Sequence, residues 1–280
     1  MKPQFQQRVR VGAVNYLNAK PLIENLPETD RQIEFSLDLP SRLADQLKLG
    51  TIDVGLIPVI EYFRGEGYRI LPDMAIGSRG AVLSVTLFSR CPWGSIESVA
   101  LDEGSRTSAA LTAVLSHFRY QRQPRWQSLA IDANPEQVDT DAVLLIGDRA
   151  MHACLPGFPY AYDLGQEWFD WTNLPFVFAV WAVRWGCELP NGITPFIRAK
   201  EWGCYRAGVI AQREAKILGL DAGFCRRYLS NVIRYDLGER EELGLRTFYE
   251  YASQLGLAPA GVSVEYYQSN YHSKNLVESC

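Results

Sequence analysis

A strand that runs into side-chain amides and restarts on a proline constrains this chain more than any other feature. Residues 8–22 read RVRVGAVNYLNAKPL. Val9, Val11 and Val14 are β-branched and favour a strand, while Gly12 and Ala13 are small enough for close packing. The strand breaks at Asn15-Tyr16-Leu17-Asn18, and Pro21 then falls in the first turn of an expected helix, where its missing N–H does no harm. At the carboxyl edge of a sheet, such a junction gathers free backbone N–H groups beside Asn15 and Asn18, which suits a ligand. An ordinary turn capped by Asn15 or Asn18 fits the same letters. Other segments must decide.

The alternation of strand and helix continues. Ile33 to Leu37 reads as a strand, and Ser41 to Leu49 as a helix with apolar residues at 43, 44, 47 and 49, Ser41 as N-cap and Gly50 as terminator. Residues 52–59 form an expected buried strand and turn, 60–63 open a short helix, and 68–76 return to extended structure. Helices between strands imply parallel β-α-β units. Residues 81–90 are strand-like, and beyond about residue 90 the pattern begins again. Val99 to Asp102 is a strand, Thr107 to Tyr120 a helix, and 127–131 and 142–146 are strands. The run FVFAVWAVR, 176–184, can carry the chain back to its first unit, and from Thr194 the spacing is helical over 201–218, 222–235 and 239–255. The segment 262–280 is polar and aromatic and supports no assignment. The expectation is an α/β protein of two lobes, the first from 1–88 plus 183–280 and the second from 89–182, with two crossings and a ligand cleft between them.

Composition removes several classes. The 280 residues suffice for two medium domains, and 47% hydrophobic with 21% charged residues is globular rather than disordered. A net charge of −4 without a basic run argues against nucleic acid. The longest apolar run, 175–183, is too short to span a membrane, and residues 1–8 carry no apolar core of a secretory signal. Six cysteines (91, 154, 187, 204, 225 and 280) are scattered and only three histidines occur, so no metal site is expected and free cytoplasmic thiols are.

Three short segments carry candidate chemistry. Asp102 to Ser108, DEGSRTS, lies between a strand and a helix. It places the hydroxyls of Ser105, Thr107 and Ser108 and the cation of Arg106 at the positive end of the helix dipole, which suits a carboxylate or phosphate. One of Ser105 and Thr107 is expected to cap that helix, but three hydroxyls and an arginine exceed what capping needs. Gly77-Ser78-Arg79-Gly80 permits a sharp bend ahead of Ser84, the polar residue in an apolar strand start. Gly147-Asp148 closes an apolar strand, where Asp148 faces a ligand or caps the next helix with equal weight. No GxSxG, Walker loop, GxGxxG or HExxH occurs, and His117, His152 and His272 support no triad.

The segments VGAVNYLNAKPL, GTIDVGLIPVIEY, AIGSRGAVLSV, LDEGSRTSAALTAVL, AVLLIGDRAM and LPFVFAVWAVR, in this order over Arg8 to Arg184, resemble chorismate dehydratase of the futalosine route to menaquinone. The resemblance implies a periplasmic-binding-protein-like (type II) fold used as a cytoplasmic enzyme. That enzyme removes water from chorismate to give 3-[(1-carboxyvinyl)oxy]benzoate without a metal or redox cofactor. It implies that Asn18 and Ser84 face the reacting ring as catalytic residues, and that Ser105, Arg106, Thr107 and Ser108 form an anion-binding turn. Chorismate is a dianion, so Ser105 to Ser108 is expected to hold one carboxylate and the Asn15 to Asn18 turn the other, with Gly147 and Asp148 beside them. No histidine is placed to act as base, which leaves a carboxylate of the substrate itself, or Asp148. Two rivals stand. A dihydroxynaphthoate synthase of the same pathway shares the fold but relies on a catalytic histidine, and a solute-binding protein captures its ligand without chemistry.

Overall fold

Two mixed sheets account for the repeated alternation of strand and helix. The computed structural model describes residues 8–268. In the first sheet, β1 (Val9–Ala13) pairs in parallel with β2 (Ile33–Leu37) and with β3 (Val54–Pro58), so that Val11 faces Phe35 on one side and Val54 on the other. The long β10 (Phe176–Val183) then runs antiparallel to both β3 and β4 (Arg69–Ser78), and β11 (Ile233–Arg234) closes that edge, giving the order β11-β4-β10-β3-β1-β2. The second sheet has the order β7-β6-β8-β5-β9. It is formed by β5 (Val85–Ser89), β6 (Ser98–Asp102), β7 (Arg125–Leu129), β8 (Ala142–Ile146) and β9 (Tyr160–Asp163). Here β6 is parallel to β7 and β8, while β5 is antiparallel to β8 and β9.

The expected parallel β-α-β units hold only in part, because β10 returns between β3 and β4 and makes the first sheet mixed. The borders expected at 88/89 and 182/183 cut through β5 and β10. Strand pairing puts β5 wholly in the second sheet and β10 wholly in the first, so the chain crosses over between Ser78 and Val85 and again before Phe176. Hydrogen-bonded neighbours decide sheet membership, and hydrophobic pattern does not report them.

Helices cover both sheets: α1 (Lys20–Ile23), α2 (Leu26–Thr29), α3 (Pro40–Leu49), α4 (Val59–Arg64), α5 (Arg106–Val114), α6 (Gly147–His152), α7 (Leu164–Thr172), α8 (Thr194–Tyr205), α9 (Ala207–Leu218), α10 (Ala222–Arg227) and α11 (Glu239–Gln254). Gly12 lets α3 lie directly on β1, since a Cβ there would sit 2.5 Å from Leu43 Cδ2. Helix α3 starts one residue before the expected cap, with Pro40 in its first turn and Leu39 at the N-cap, and it stops at Gly50 with φ +69°. The single helix expected over 201–218 is broken at Arg206 into α8 and α9, and 222–235 becomes α10, a π-helical turn Tyr228–Val232 and β11. Of the unassigned tail, Tyr266 bridges to Ile70, and the Tyr62 phenol accepts the Glu265 N–H while donating to the Ser263 carbonyl. Residues 269–280 lie outside the described residues.

Asp53 ties three strands together. Its carboxylate accepts the Arg10 backbone N–H, the Arg10 guanidinium at 2.8 Å and Arg184 at 2.9 Å. Burial alone raises this carboxyl, but the two guanidiniums and the backbone N–H outweigh it and hold the group at about 2, below its usual 3.8. Its stabilisation is therefore complete above pH 3.8 and lost as pH falls through about 2. The expected effect of Asp53→Asn is a loss of about 1 kcal/mol at pH 7, reduced by solvent screening of the half-exposed arginines, that shrinks toward zero near the acid limit. Thermal melts of both proteins between pH 7 and pH 2.5 check it.

Candidate active site

The end of β1, the turn before β5 and the start of α5 meet around a narrow cleft open to solvent, a concave place of the kind small molecules occupy. Its apolar wall is made by Val14, Leu56, Ile76, Val82 and Phe178. Its polar lining comes from Tyr16, Asn18, Ser84 and the Ser105 to Ser108 turn. An apolar slot with few polar groups fixes a ring by shape and reserves hydrogen bonds for its substituents.

Each polar group is positioned by backbone that the sequence explains. Asn18 sits in a short 3₁₀ turn, Leu17–Ala19, just before α1, whose Pro21 occupies the first turn as expected. Its Oδ1 is buried and has no hydrogen-bond partner among the described residues. Ser84 follows Leu83, whose φ of +63° lies in the left-handed region that a branched residue avoids. Asp163, at the end of β9 in the second sheet, holds that conformation: its carboxylate accepts the N–H groups of Val82 and Leu83 at 3.0 and 2.7 Å. The Ser84 carbonyl accepts from Gly147, and its hydroxyl accepts from Tyr228 at 2.8 Å. Strain concentrated next to a cleft residue is how a fold fixes an orientation that sequence propensity resists.

The α5 turn differs from expectation in two ways. Ser105 occupies the N-cap, but its side chain makes no capping bond, and Thr107 Oγ1 instead accepts the Ile60 N–H at 3.3 Å. The first turn of α5 is thus left without a capping side chain, and Arg106, Thr107 and Ser108 line the cleft at the positive end of the helix dipole. Arg106 does not present a free cation. It forks onto Asp45 with two bonds of 2.9 Å and reaches Glu61 at 3.1 Å, so its charge is spent on two carboxylates of the first sheet's helices. A ligand in this cleft meets amides and hydroxyls rather than an uncompensated positive charge.

Asn18, Ser84, Ser105, Arg106, Thr107, Ser108 and Gly147 all line the cleft; Asn15 and Asp148 do not. Asn15 is exposed and accepts from Lys20 Nζ at 2.7 Å, a contact within its own turn that leaves it outside. Asp148 lies in α6 with Oδ1 buried and unpartnered, and burial raises its carboxyl, opposed by the Leu17 N–H. Gly147 has φ +58° and meets the Tyr16 ring, which passes from the first sheet into the space left by Gly147 and Gly104. Burial first, then the charges of Asp102 and Asp148, push the Tyr16 phenol up to about 12, so it remains a proton-bearing donor. Tyr16 was not singled out from sequence although it lies inside the YLN element, because an aromatic residue there reads as core. His152 has its two ring nitrogens 2.6 and 2.7 Å from the Asp148 and Leu218 carbonyl oxygens and lines no part of the cleft. Among the described residues no group of three or more His, Cys, Asp and Glu is arranged to hold a metal, and no helix is long and apolar enough to cross a membrane.

Residues 9–254 match the model of a family described as menaquinone biosynthesis. The chain is 33% identical to a chorismate dehydratase of Thermus thermophilus, over 89% of this chain and 96% of that one. To a chorismate dehydratase of Campylobacter jejuni it is 28% identical, over 88% and 99%. Among solved structures it is similar to the periplasmic aliphatic sulphonate binding protein SsuA from Escherichia coli. The TM-score is 0.64 at 15% identity, covering 94% of this chain and 92% of that one. That likeness gives the fold, a two-sheet periplasmic-binding-protein-like α/β architecture, and says nothing of the ligand.

Proposed function

This chain belongs to the menaquinone biosynthesis family and to its chorismate dehydratases, and from that premise we propose that it eliminates water from chorismate in the cytoplasm to give 3-[(1-carboxyvinyl)oxy]benzoate. The observation that carries this reading is the convergence of Asn18 and Ser84 on one apolar cleft opposite the first turn of α5. The sheets form the centres of two lobes, and the substrate sits between them.

The chemistry follows from what lines the cleft. One carboxylate of the substrate takes the N–H groups and hydroxyls of the α5 turn, and the other lies by Tyr16 and Asn18. Both anions are met by neutral donors, which bind without locking the product in place as an uncompensated arginine would. Chorismate carries a single hydroxyl. Asn18 Oδ1, a buried acceptor without a protein partner, takes its hydrogen, and the Ser84 hydroxyl donates to its oxygen. The proton leaves the neighbouring ring carbon that bears the ether, and the carbon–oxygen bond to the hydroxyl breaks as the ring becomes aromatic. Asp148 stands outside the cleft, so the substrate's own enolpyruvyl carboxylate takes that proton and returns it to the departing hydroxide, giving water. Positioning carries the rate, since a held base contributes about 10²–10⁴-fold and a fixed reactive pose as much or more.

A synthase that needs a catalytic histidine finds none in the cleft lining. Incubation of the purified protein with chorismate should yield a product lighter by one water with aromatic proton resonances. Binding of chorismate with no change in mass would overturn the reading in favour of a solute-binding protein.

A further inference from the structure

We propose that Tyr228 is a positioning residue that aims the Ser84 hydroxyl and holds Asn18 beside it, a role that rests on the chorismate reading above. Tyr228 is only 1% exposed and does not line the cleft; it stands behind the two residues that do. It begins the π-helical turn Tyr228–Val232, an irregularity that shifts side chains out of helical register and recurs near functional sites. Its Oη donates to Ser84 Oγ at 2.8 Å, and the Asn18 side chain lies near enough to act on the same phenol electrostatically.

The directionality matters. A phenol has one proton to give, and Tyr228 gives it to Ser84. The serine is thereby an acceptor on that side, and its own proton must point elsewhere. The protein acceptor within reach, the Val82 carbonyl at 3.5 Å, is at the limit of a hydrogen bond. A hydroxyl oxygen on the substrate is the better partner. The bond from phenol to serine also polarises the serine's own O–H, because each bond in a series strengthens the next. Tyr228 is the fully buried phenol linking the C-terminal helices to both cleft residues. Packing alone would be served by phenylalanine.

The test is Tyr228→Phe, which keeps the ring. The expected result is a fall in kcat of about tenfold to a hundredfold, with KM changed less than about threefold and the melting temperature nearly kept. In a Ser84→Ala background the same substitution should cost less than about threefold, since the group it aims is gone. Unchanged kcat, a rise in KM with kcat intact, or an undiminished penalty in the Ser84→Ala background would each overturn the role. Should Tyr228→Phe not fold, 3-fluorotyrosine placed at 228 retains the phenol with altered acidity. A shifted kcat at constant KM then supports the role and an unshifted one overturns it. Failure of the parent protein to convert chorismate would instead strike the function itself.

Discussion

Ser84→Ala and Asn18→Ala are each expected to lower kcat with chorismate by about 10²–10³-fold, the scale of losing one preorganised donor or acceptor at a reacting oxygen. KM should move little in Ser84→Ala, because the carboxylates are held elsewhere, by the α5 turn and beside Tyr16 and Asn18; in Asn18→Ala it should rise as well. The two substitutions differ in what they leave behind. Without Ser84 Oγ the buried Tyr228 phenol loses its acceptor, so Ser84→Ala should also lose about 1–3 kcal/mol of stability. Asn18→Ala removes an acceptor that has no partner in the ligand-free protein, so its stability cost should be smaller while its kinetic cost is comparable. Stopped assays with chorismate, alongside thermal melts of each variant, measure both quantities. Near-normal turnover in either variant takes that residue out of the mechanism.

The largest expected loss of stability lies at Gly203, far from any reacting group. Helix α8 crosses α1 so closely that a Cβ at Gly203 would stand 1.9 Å from the Pro21 carbonyl oxygen and 2.5 Å from its Cα. Both are backbone atoms at the start of α1 and cannot swing aside, so Gly203→Ala must push the two helices apart. The expected cost is about 3 kcal/mol or more, or roughly a 6 °C or larger drop in melting temperature for a chain of this size. Because α1 begins two residues after Asn18, the same displacement should lower kcat in the molecules that remain folded. Differential scanning calorimetry of Gly203→Ala and of Gly208→Ala, where a Cβ meets nothing nearer than 4.0 Å, isolates the effect of the close crossing.

The contrast between what sequence predicts and what the fold does has physical causes. Strands such as β3 and β8 were legible because continuous β-branched and apolar letters report burial on both faces. Gly12 and Gly50 were legible because close approach and a left-handed turn leave few alternatives to glycine. The antiparallel return of β10 was not, since a fully buried strand carries no mark of its direction. The exposed edge strand β9 was missed for the opposite reason, too little hydrophobic contrast. Within the site, Asn18 and Ser84 were singled out by the family resemblance, since on pattern alone an amide in a turn reads as a cap and a serine in a strand as a neighbour's partner; both line the cleft together with the α5 turn. Arg106 was read as a fixed cation suited to an anion, and the carboxylates that occupy it, Asp45 and Glu61, arrive from distant helices that the local sequence does not report. Asn15 and Asp148 were included as polar groups at strand ends, but the backbone there turns both away from the cleft lining. Asp163 and Tyr228 went unseen: a helix cap and a core aromatic become positioning groups only once the second sheet and the C-terminal helices fold against Leu83 and Ser84.

Determination of the structure with 3-[(1-carboxyvinyl)oxy]benzoate bound bears most directly on the cleft as a dehydratase site. The account predicts the aromatic ring lying against Phe178 and Val82, the Ser84 and Asn18 side chains within hydrogen-bond or contact distance of the ring carbon that lost its hydroxyl, and a carboxylate on the first-turn N–H groups of α5. A ring seated elsewhere, or Asn18 and Ser84 turned from it while the carboxylates pair with Arg106 freed from Asp45 and Glu61, would contradict it.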